Sequence, residues 1–335
     1  MFFITRSKGS IFILTIWVLL VLSIFALCVG RMVHQRIGVV KHLETRQRLR
    51  DIADAGIKTA VHIINSKKKE PPIFDALNQD WSTNEEEFRS ISVGEGTFTV
   101  SYPAKDTSTS YGAVDEERKI NLNLIDSPIV LTRLFQYGAG LTEERSRSMA
   151  VSILDWRDED DNPHDVGAET SYYETLHPPY AAKNKDISTL EELLWIKGIT
   201  ADIYRKMLPY VTLDGSRRVN INTASAVVLH ALGLSDTLIY KIDSFRRGPD
   251  SLWGTKDDRV FNDVTAVAAD LGKVYALGPD EQKSFGDFLQ SDIFRVNSEN
   301  FLIRSVAQIP NRTDELTVVC VVERYGKIKR WHEFY

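Results

Sequence analysis

The amino-acid sequence predicts an α+β protein in which a long N-terminal helix packs on an antiparallel sheet, with an all-helical domain inserted between the parts of the sheet. Three observations predict this arrangement. An uncharged apolar run continues into an amphipathic helical pattern, strand-like segments alternate on either side of the middle of the chain, and short helix-like segments lie between them. A length of 335 residues is typical of two or three hydrophobic cores.

The first element is a helix that begins in the apolar run. Ser10 to Gly30 contains no charged residue and spans about 32 Å at ~1.5 Å per residue, enough to cross a bilayer. Apolar residues then recur every three or four positions until Pro71 and Pro72, which stop a helix. We expect a membrane part at 10–30 and a remainder at 31–69. A cleaved signal peptide is disfavoured because its apolar core is shorter and Arg31 directly follows this run.

Alternating apolar and polar residues predict strands at both ends of the remaining chain. Residues 91–102 alternate around two glycines, and 120–124 is a second short strand candidate. We assign residues 70–125 and 216–335 to two parts of one sheet-containing body, in which 248–292 predicts only loops and short helices. Near the C-terminus, four alternating segments predict an antiparallel meander: 293–296, 301–309, 316–324 and 327–334.

Between these parts, residues 126–215 predict the inserted helical domain. Short helix-like segments there alternate with loops rich in Gly, Pro and acidic residues. Two similar pentapeptides, Lys119-Ile-Asn-Leu-Asn and Arg218-Val-Asn-Ile-Asn, each precede a helix-like segment. The predicted N-caps of those helices are Asn123 or Asp126 in the first copy and Asn222 or Thr223 in the second.

Composition and motifs exclude several functions. The formal net charge is −5, and residues 115–214 contain 19 acidic against 11 basic residues, which would repel a phosphate backbone. The sequence has no zinc-protease, nucleophile-elbow, P-loop or C-x-x-C motif, so we do not expect an enzyme. Cys28 lies in the apolar run and Cys320 in a distant strand-like segment, which disfavours an intrachain disulfide.

The N-terminal residues Arg6-Ser-Lys-Gly-Ser10, followed directly by the apolar helix, resemble the leader of type IV prepilins and pseudopilins. The resemblance implies that a prepilin peptidase removes residues 1–9 by cutting between Gly9 and Ser10. Most members of the family have a glutamate at the fifth mature position, where this chain has Leu14. A subunit without that glutamate resembles class K, the large minor pseudopilin of bacterial type II secretion systems.

Further segments resemble the same class and extend the resemblance along the chain. Class K implies an inner-membrane protein with a single span and its bulk in the periplasm. It implies a structural subunit at the tip of a pseudopilus, bound to other minor pseudopilins and in contact with secreted cargo or the outer-membrane channel. The matching segments are residues 49–56, 115–123, 153–158, 167–169, 178–180 and 219–224.

An acidic loop in the helical domain is a candidate metal site. Oxygen-bearing side chains stand at relative positions 1, 3, 5 and 12 of this loop, a spacing that can wrap calcium. Pro163 occupies the sixth position, where an EF-hand needs glycine, so the ligand chemistry and not the EF-hand fold is predicted. Asp155 and Asp165 are further candidates. The predicted ligands are Asp158, Asp160, Asp161, Asn162 and Glu169.

The alternative for this loop is a solvated acidic surface, the commoner fate of charge runs. Clustered carboxylates repel one another without a counter-ion, which favours a bound cation. The resemblance to class K implies calcium in the helical domain, so calcium is the expected cofactor.

Two other functions remain as alternatives. Residues 190–199 and 219–225 also resemble helix-hairpin-helix modules, which would make the chain a membrane-anchored DNA-binding protein for DNA uptake. The acidic excess of the domain argues against this, and we expect no nucleic-acid partner. A signal-anchored periplasmic enzyme is the second alternative, and turnover of a substrate would support it.

Overall fold

The computed structural model of the chain describes residues 8–66, 73–103 and 109–335. Helices and strands alternate along these ranges in an α+β arrangement, as the sequence predicts. The helices are α1 Lys8–Ser66, α2 Glu85–Phe88, α3 Pro128–Ala139, α4 Glu143–Arg157, α5 Thr170–Tyr173, α6 Ala201–Met207, α7 Ala226–Ala231, α8 Asp236–Arg246, α9 Val267–Gly272 and α10 Pro279–Ser291. The strands are β1 Ile91–Val93, β2 Gly96–Val100, β3 Tyr102–Pro103, β4 Thr109–Ser110, β5 Val114–Asp115, β6 Ile120–Asn121, β7 Val211–Thr212, β8 Val219–Asn220, β9 Phe294–Arg295, β10 Asn300–Gln308, β11 Glu315–Glu323 and β12 Ile328–Phe334.

The long helix α1 has two parts with different surroundings. Residues 11–43 are exposed around the whole helix, including the apolar run. From Leu49 to Ile64, apolar residues at three- and four-residue spacing are buried on the sheet, as their helical period predicts. Gly56 is needed at this contact because an added Cβ would lie 2.5 Å from Ser305 Oγ. The predicted stop at Pro71 and Pro72 lies outside the described residues.

The main sheet lies against the second part of α1. Its strand order is β1-β2-β10-β11-β12, all neighbours are antiparallel, and β5 also pairs with β10. Alternation places Phe301, Ile303 and Ala307 of β10 in the core with α1, together with Val318 and Cys320 of β11. We call this core the sheet lobe. It brings together strands from residues 70–125 and 216–335, which the sequence assigns to two parts of one body.

A second core, which we call the helical lobe, contains the remaining helices. Helices α3 and α4 are joined by a short turn that contains Gly140, and α7 and α8 by a short turn that contains Gly233. Both glycines have positive φ. The core extends from Ile120 to Phe294. It therefore continues well beyond residue 215, where the sequence placed the end of the inserted domain. Helix α7 packs against α3 and α8 packs against α7, which is why this core continues past residue 215.

The two similar pentapeptides have matching roles that the sequence did not predict. Asn123 holds the backbone of Ile187 by both its amide and its carbonyl, and Asn222 holds Phe261 in the same way. These asparagines are therefore fixed to distant core residues. The predicted helix caps were wrong, because Ser127 and Ser225 cap the following helices instead.

Candidate metal centre

The acidic loop joins two helices of the helical lobe. Helix α4 ends at Arg157, and Asp158 is its C-terminal cap residue in extended conformation. The loop then runs to Glu169, which directly precedes α5. Because Pro163 and several charged residues disfavour helix here, the chain leaves the core at Asp158 and returns to it at Glu169. Both ends of the loop are thus placed by helices.

Three carboxylates of this loop converge. One oxygen atom each of Asp158, Asp160 and Glu169 lie within 4.8 Å of one another. Glu169 is only 1% exposed, and neither of its carboxylate oxygens has a hydrogen-bond partner. Asp158 Oδ1 is also buried without a partner. Buried carboxylate oxygens that lack donors are unfavourable unless a cation satisfies them, so the donor set fits a hard divalent ion such as calcium.

Repulsion within the cluster changes the acidity of its members. Burial, followed by the charges of Asp155 and Asp158, raises the pKa of Glu169 to about 7. Burial and then the neighbouring Asp160 raise the pKa of Asp158. Without a cation, the folded loop therefore favours the protonated form of Glu169, a side chain that would otherwise be charged at neutral pH.

Asp155, on the last turn of α4, fixes the backbone of the acidic loop by hydrogen bonds. This fully buried carboxylate accepts hydrogen bonds from the backbone N–H of Ala168 at 2.7 Å and of His164 at 3.2 Å. It also pairs with the His164 ring, an interaction that raises the pKa of the imidazole. The backbone passes so close that a Cβ on Gly167 would lie 1.8 Å from Asp155 Oδ2. Glycine is therefore required at this turn.

Two of the predicted ligands make hydrogen bonds that shape the loop. Asp161 Oδ1 accepts a hydrogen bond from Asn184 Nδ2 at 3.2 Å. The backbone N–H of Asn162 donates to Asp160 Oδ1 at 2.7 Å, so Asn162 fixes a candidate ligand. The structure therefore brings together Asp158, Asp160 and Glu169, while Asp161 and Asn162 support the loop.

Two residues that were not among the predicted ligands also lie at this candidate site. His164 lies with Asp155 and Asp158 in a second group of potential ligands. Asn184 comes from a separate segment, donates to the Asp160 carbonyl at 3.1 Å, and has a buried Oδ1 atom without a partner. Its positive φ of 49° is the kind of backbone that asparagine tolerates. Nothing in the spacing of the acidic loop indicates a residue so far along the chain.

Comparisons with known proteins agree with this fold. A family model described as "Type II secretion system (T2SS), protein K" matches residues 113–214, which include the acidic loop. Type II secretion system protein K of Pectobacterium carotovorum subsp. carotovorum is 26% identical over 69% of this chain and 72% of that protein. The protein of the same name from Pseudomonas aeruginosa is 28% identical over 68% of each. This chain is therefore similar to type II secretion system protein K over about two thirds of its length.

The three-dimensional fold is shared with a chain of a solved complex. A chain in the GspK-GspI-GspJ complex from the type 2 secretion system of enterotoxigenic Escherichia coli matches with a TM-score of 0.64 and 18% identity. The match covers 88% of this chain and 99% of that chain. The predicted α+β fold and the predicted minor pseudopilin family are therefore confirmed, and no comparison supports the DNA-binding alternative.

The N-terminal part of the chain has the features of a membrane anchor. Helix α1 is long and apolar enough to cross a membrane, and the apolar window is not buried within the chain. Gly9 and Ser10, the predicted cleavage site, lie in the first turns of α1, whereas residues 1–7 lie outside the described residues. Leu14, at the position of the usual glutamate, is 64% exposed. Cleavage between Gly9 and Ser10 stays a prediction.

Proposed function

We propose that this chain is a protein K of a type II secretion system, a structural subunit at the tip of the pseudopilus, where it initiates the filament and contacts secreted cargo or the outer-membrane channel. Helix α1 anchors it in the inner membrane by a single span, and both lobes lie in the periplasm. The observation that supports this most is the division of α1 into an exposed apolar part and a part buried on the sheet lobe. Such a helix needs partners for its first half.

The partners that fit this surface are the helices of other minor pseudopilins. Apolar side chains remain exposed beyond the uncharged run, at Met32, Val33, Ile37, Val40 and Leu43. Outside the bilayer these side chains would be unfavourable in water, so a helix-on-helix contact is the natural cover. The related GspK chain was solved in a complex with GspI and GspJ. We propose the same kind of hetero-oligomer here.

The leucine at the fifth mature position fits a terminal subunit. In ordinary subunits a glutamate there neutralises the N-terminal amine of a neighbour within the apolar bundle, where an unpaired charge is unfavourable. Leu14 is unable to make that ion pair. A chain with leucine at this position therefore fits best where there is no preceding neighbour, at the first position of the filament.

We further propose that calcium binds the acidic loop and that the protein works by assembly rather than catalysis. Asp158, Asp160 and Glu169 would hold the ion, with Asn184 close by. Calcium would supply positive charge that offsets the repulsion among these carboxylates. Because Asp158 ends α4 and Glu169 precedes α5, the ion would tie the two helices together and stabilise the helical lobe.

Processing by a prepilin peptidase tests the pilin pathway directly. The full chain is co-expressed with the peptidase, extracted from the membrane, and analysed by intact mass and N-terminal sequencing. We expect a new terminus at Ser10, and we expect no cleavage of a Gly9→Val variant. An intact Met1 terminus on the unaltered chain, with the peptidase active on a control prepilin, would contradict the proposal and favour a signal-anchored protein.

The position of the subunit at the tip is tested by locating it on the pseudopilus. Gold-labelled antibody against the helical lobe should mark one end of each pseudopilus. Label along the length of the filament would contradict a terminal position, even if processing at Ser10 takes place.

A further inference from the structure

Helix α1 has an apolar face between its uncharged run and the sheet lobe, which we call the stem face. Its six side chains are between 47% and 61% exposed: Met32, Val33, Ile37, Val39, Val40 and Leu43. At ~100° per residue, this face is centred about 140° around the helix axis from the residues that α1 buries on the sheet lobe, Leu49 to Ile64. The chain's own sheet therefore does not cover the stem face, and a neighbouring subunit on that side of α1 is placed to do so.

Lipid covers only the beginning of the stem face. The uncharged run that ends at Gly30 already matches the ~30 Å hydrocarbon core of a bilayer, and the headgroup layer adds about 5–8 Å on each side. At ~1.5 Å per residue, Val40 lies ~15 Å and Leu43 ~20 Å beyond Gly30 along the helix. These side chains therefore extend past the headgroups, and a protein surface is what remains to cover them.

One charged residue, Arg36, lies in the middle of the stem face. Residues three, four and seven positions away from it, in either direction, lie on the same side of the helix. All six of these neighbours are apolar: Val29, Met32, Val33, Val39, Val40 and Leu43. The nearby basic residues Arg31 and Lys41 differ, because each has polar residues among the corresponding neighbours. Arg36 alone is thus surrounded by the side chains that a partner would bury.

The chain itself supplies no carboxylate to Arg36 along this helix. The first acidic residue of the whole sequence is Glu44, which lies ~12 Å further along α1 and pairs with Arg48 at 2.7 Å. A second copy of this chain at the same depth in the membrane would bring another arginine to this face instead of an acid. Self-association through the stem face is therefore disfavoured, and the partner is a different subunit.

A helix that covers the stem face also encloses the Arg36 guanidinium. An arginine keeps its charge in a protein, and burying a charge without a partner is strongly unfavourable. Its planar guanidinium matches a carboxylate, to which it donates two parallel hydrogen bonds. A purely apolar partner helix would leave a buried, unpaired cation, whereas a helix with one carboxylate at the depth of Arg36 would satisfy it.

We propose that the helix that binds the stem face is apolar except for one Asp or Glu opposite Arg36, and that this ion pair selects which subunit binds. Apolar contacts along the face supply affinity, while the ion pair fixes the register of the two helices and excludes subunits without the carboxylate. The inference rests on the proposed function, in which other minor pseudopilins are the partners. It adds the chemistry by which one of them is recognised.

The test co-expresses the tagged full chain with the other minor pseudopilins of its secretion system, extracts the complex in mild detergent and measures the bound subunits by quantitative mass spectrometry. Arg36→Glu should reduce the recognised subunit by about tenfold or more, because it sets two carboxylates against each other. Arg36→Lys keeps the charge and should retain most of the binding. The matched control Lys41→Glu makes the same reversal of charge on the other side of the helix and should leave binding unchanged. Membrane levels and melting temperatures check that each variant is inserted and folded.

Reversing the charge of the partner identifies its carboxylate. Arginine in place of one Asp or Glu on the partner's helix should restore binding of the Arg36→Glu variant, and failure of every such exchange would overturn the proposal. Equal losses for Arg36→Glu and Lys41→Glu would show general attraction of charge and overturn it too. Unchanged binding of Arg36→Glu, even with less anionic lipid extracted alongside, would show that Arg36 faces lipid or water and not a subunit.

A failure of the proposed function gives a different result. If the unaltered chain binds none of the other minor pseudopilins, the proposed assembly and the ion pair are both refuted. If the complex forms whatever residue stands at position 36, the assembly stands and only the role of Arg36 is refuted.

Discussion

Replacing Glu169 by glutamine should change the stability of the helical lobe in opposite directions with and without calcium. The substitution keeps the shape of the side chain and removes a negative charge that is 1% exposed. Without metal, it relieves repulsion from Asp155 and Asp158. With calcium, it removes a charged ligand from the proposed site. A change of sign on adding calcium is therefore specific to a metal ligand.

The size of the effect follows from the pKa of Glu169, which rises from an ordinary value of 4.5 to about 7 in the folded chain. At ~1.4 kcal/mol for each unit of pKa, ionising this group in the folded state costs roughly 3 kcal/mol. The contribution of the protonated Glu169 carboxyl to the stability of the folded chain is fully present below pH 4.5 and is lost as pH rises through 7. At pH 7.5 the metal-free Glu169→Gln variant should therefore be more stable than the unaltered chain by about 2–3 kcal/mol.

Calcium should reverse this order. An ion at about 1,000 times its dissociation constant stabilises the folded chain by ~4.1 kcal/mol, which exceeds the metal-free advantage of the variant, and the variant should lose most of that gain. Because a ligand carboxylate must be deprotonated, the stabilisation by calcium should also be smaller at pH 5.5 than at pH 7.5.

Thermal unfolding of the full chain in chelator and in calcium, at pH 5.5 and pH 7.5, measures both effects. Glu174→Gln is the matched control, because Glu174 is exposed just after the same short helix. It should behave like the unaltered chain in every condition. If Glu169→Gln destabilises the protein equally in chelator and in calcium, the side chain has a packing role and the metal assignment is wrong.

Two further predictions concern the turn beneath the loop and the junction of the lobes. Gly167→Ala places a methyl group against the buried Asp155 carboxylate. Calcium affinity, measured by calorimetry, should fall by roughly 10–100-fold, as it does when residues that orient metal ligands are lost. The control Gly286→Ala lies in open space on α10 and should leave the calcium affinity unchanged. Arg324→Met leaves Asp75 without its 2.5 Å ion-pair partner in a buried junction and should destabilise the chain by about 3–5 kcal/mol in urea unfolding. The exposed-pair control Arg312→Met should change stability by less than ~1 kcal/mol, and equal losses for both arginines would contradict the argument.

Local patterns predicted the elements of this protein well. The period of apolar residues placed the buried face of α1, and the alternation of apolar and polar residues predicted the C-terminal meander that became β10, β11 and β12. The acidic loop was also predicted, since the spacing of its carboxylates is a local property. Such features depend on neighbours a few residues apart, which a single sequence records directly.

Predictions that depended on distant contacts were less accurate. The pentapeptide asparagines were expected to cap helices, yet Asn123 and Asn222 hold the backbones of Ile187 and Phe261, which lie 64 and 39 residues further along. The extent of the helical core depends on distant contacts in the same way, because α7 joins it by packing against α3.

The sequence by itself determined the apolar anchor, the long helix, the strands and the existence of an acidic loop, because backbone preference and hydrophobic period decide these within a few residues. Only the tertiary structure decided which carboxylates converge, since burial of Glu169 and the approach of Asn184 require α4, α5 and a remote turn to pack together. Long-range packing, which selects among many locally acceptable arrangements, places this site.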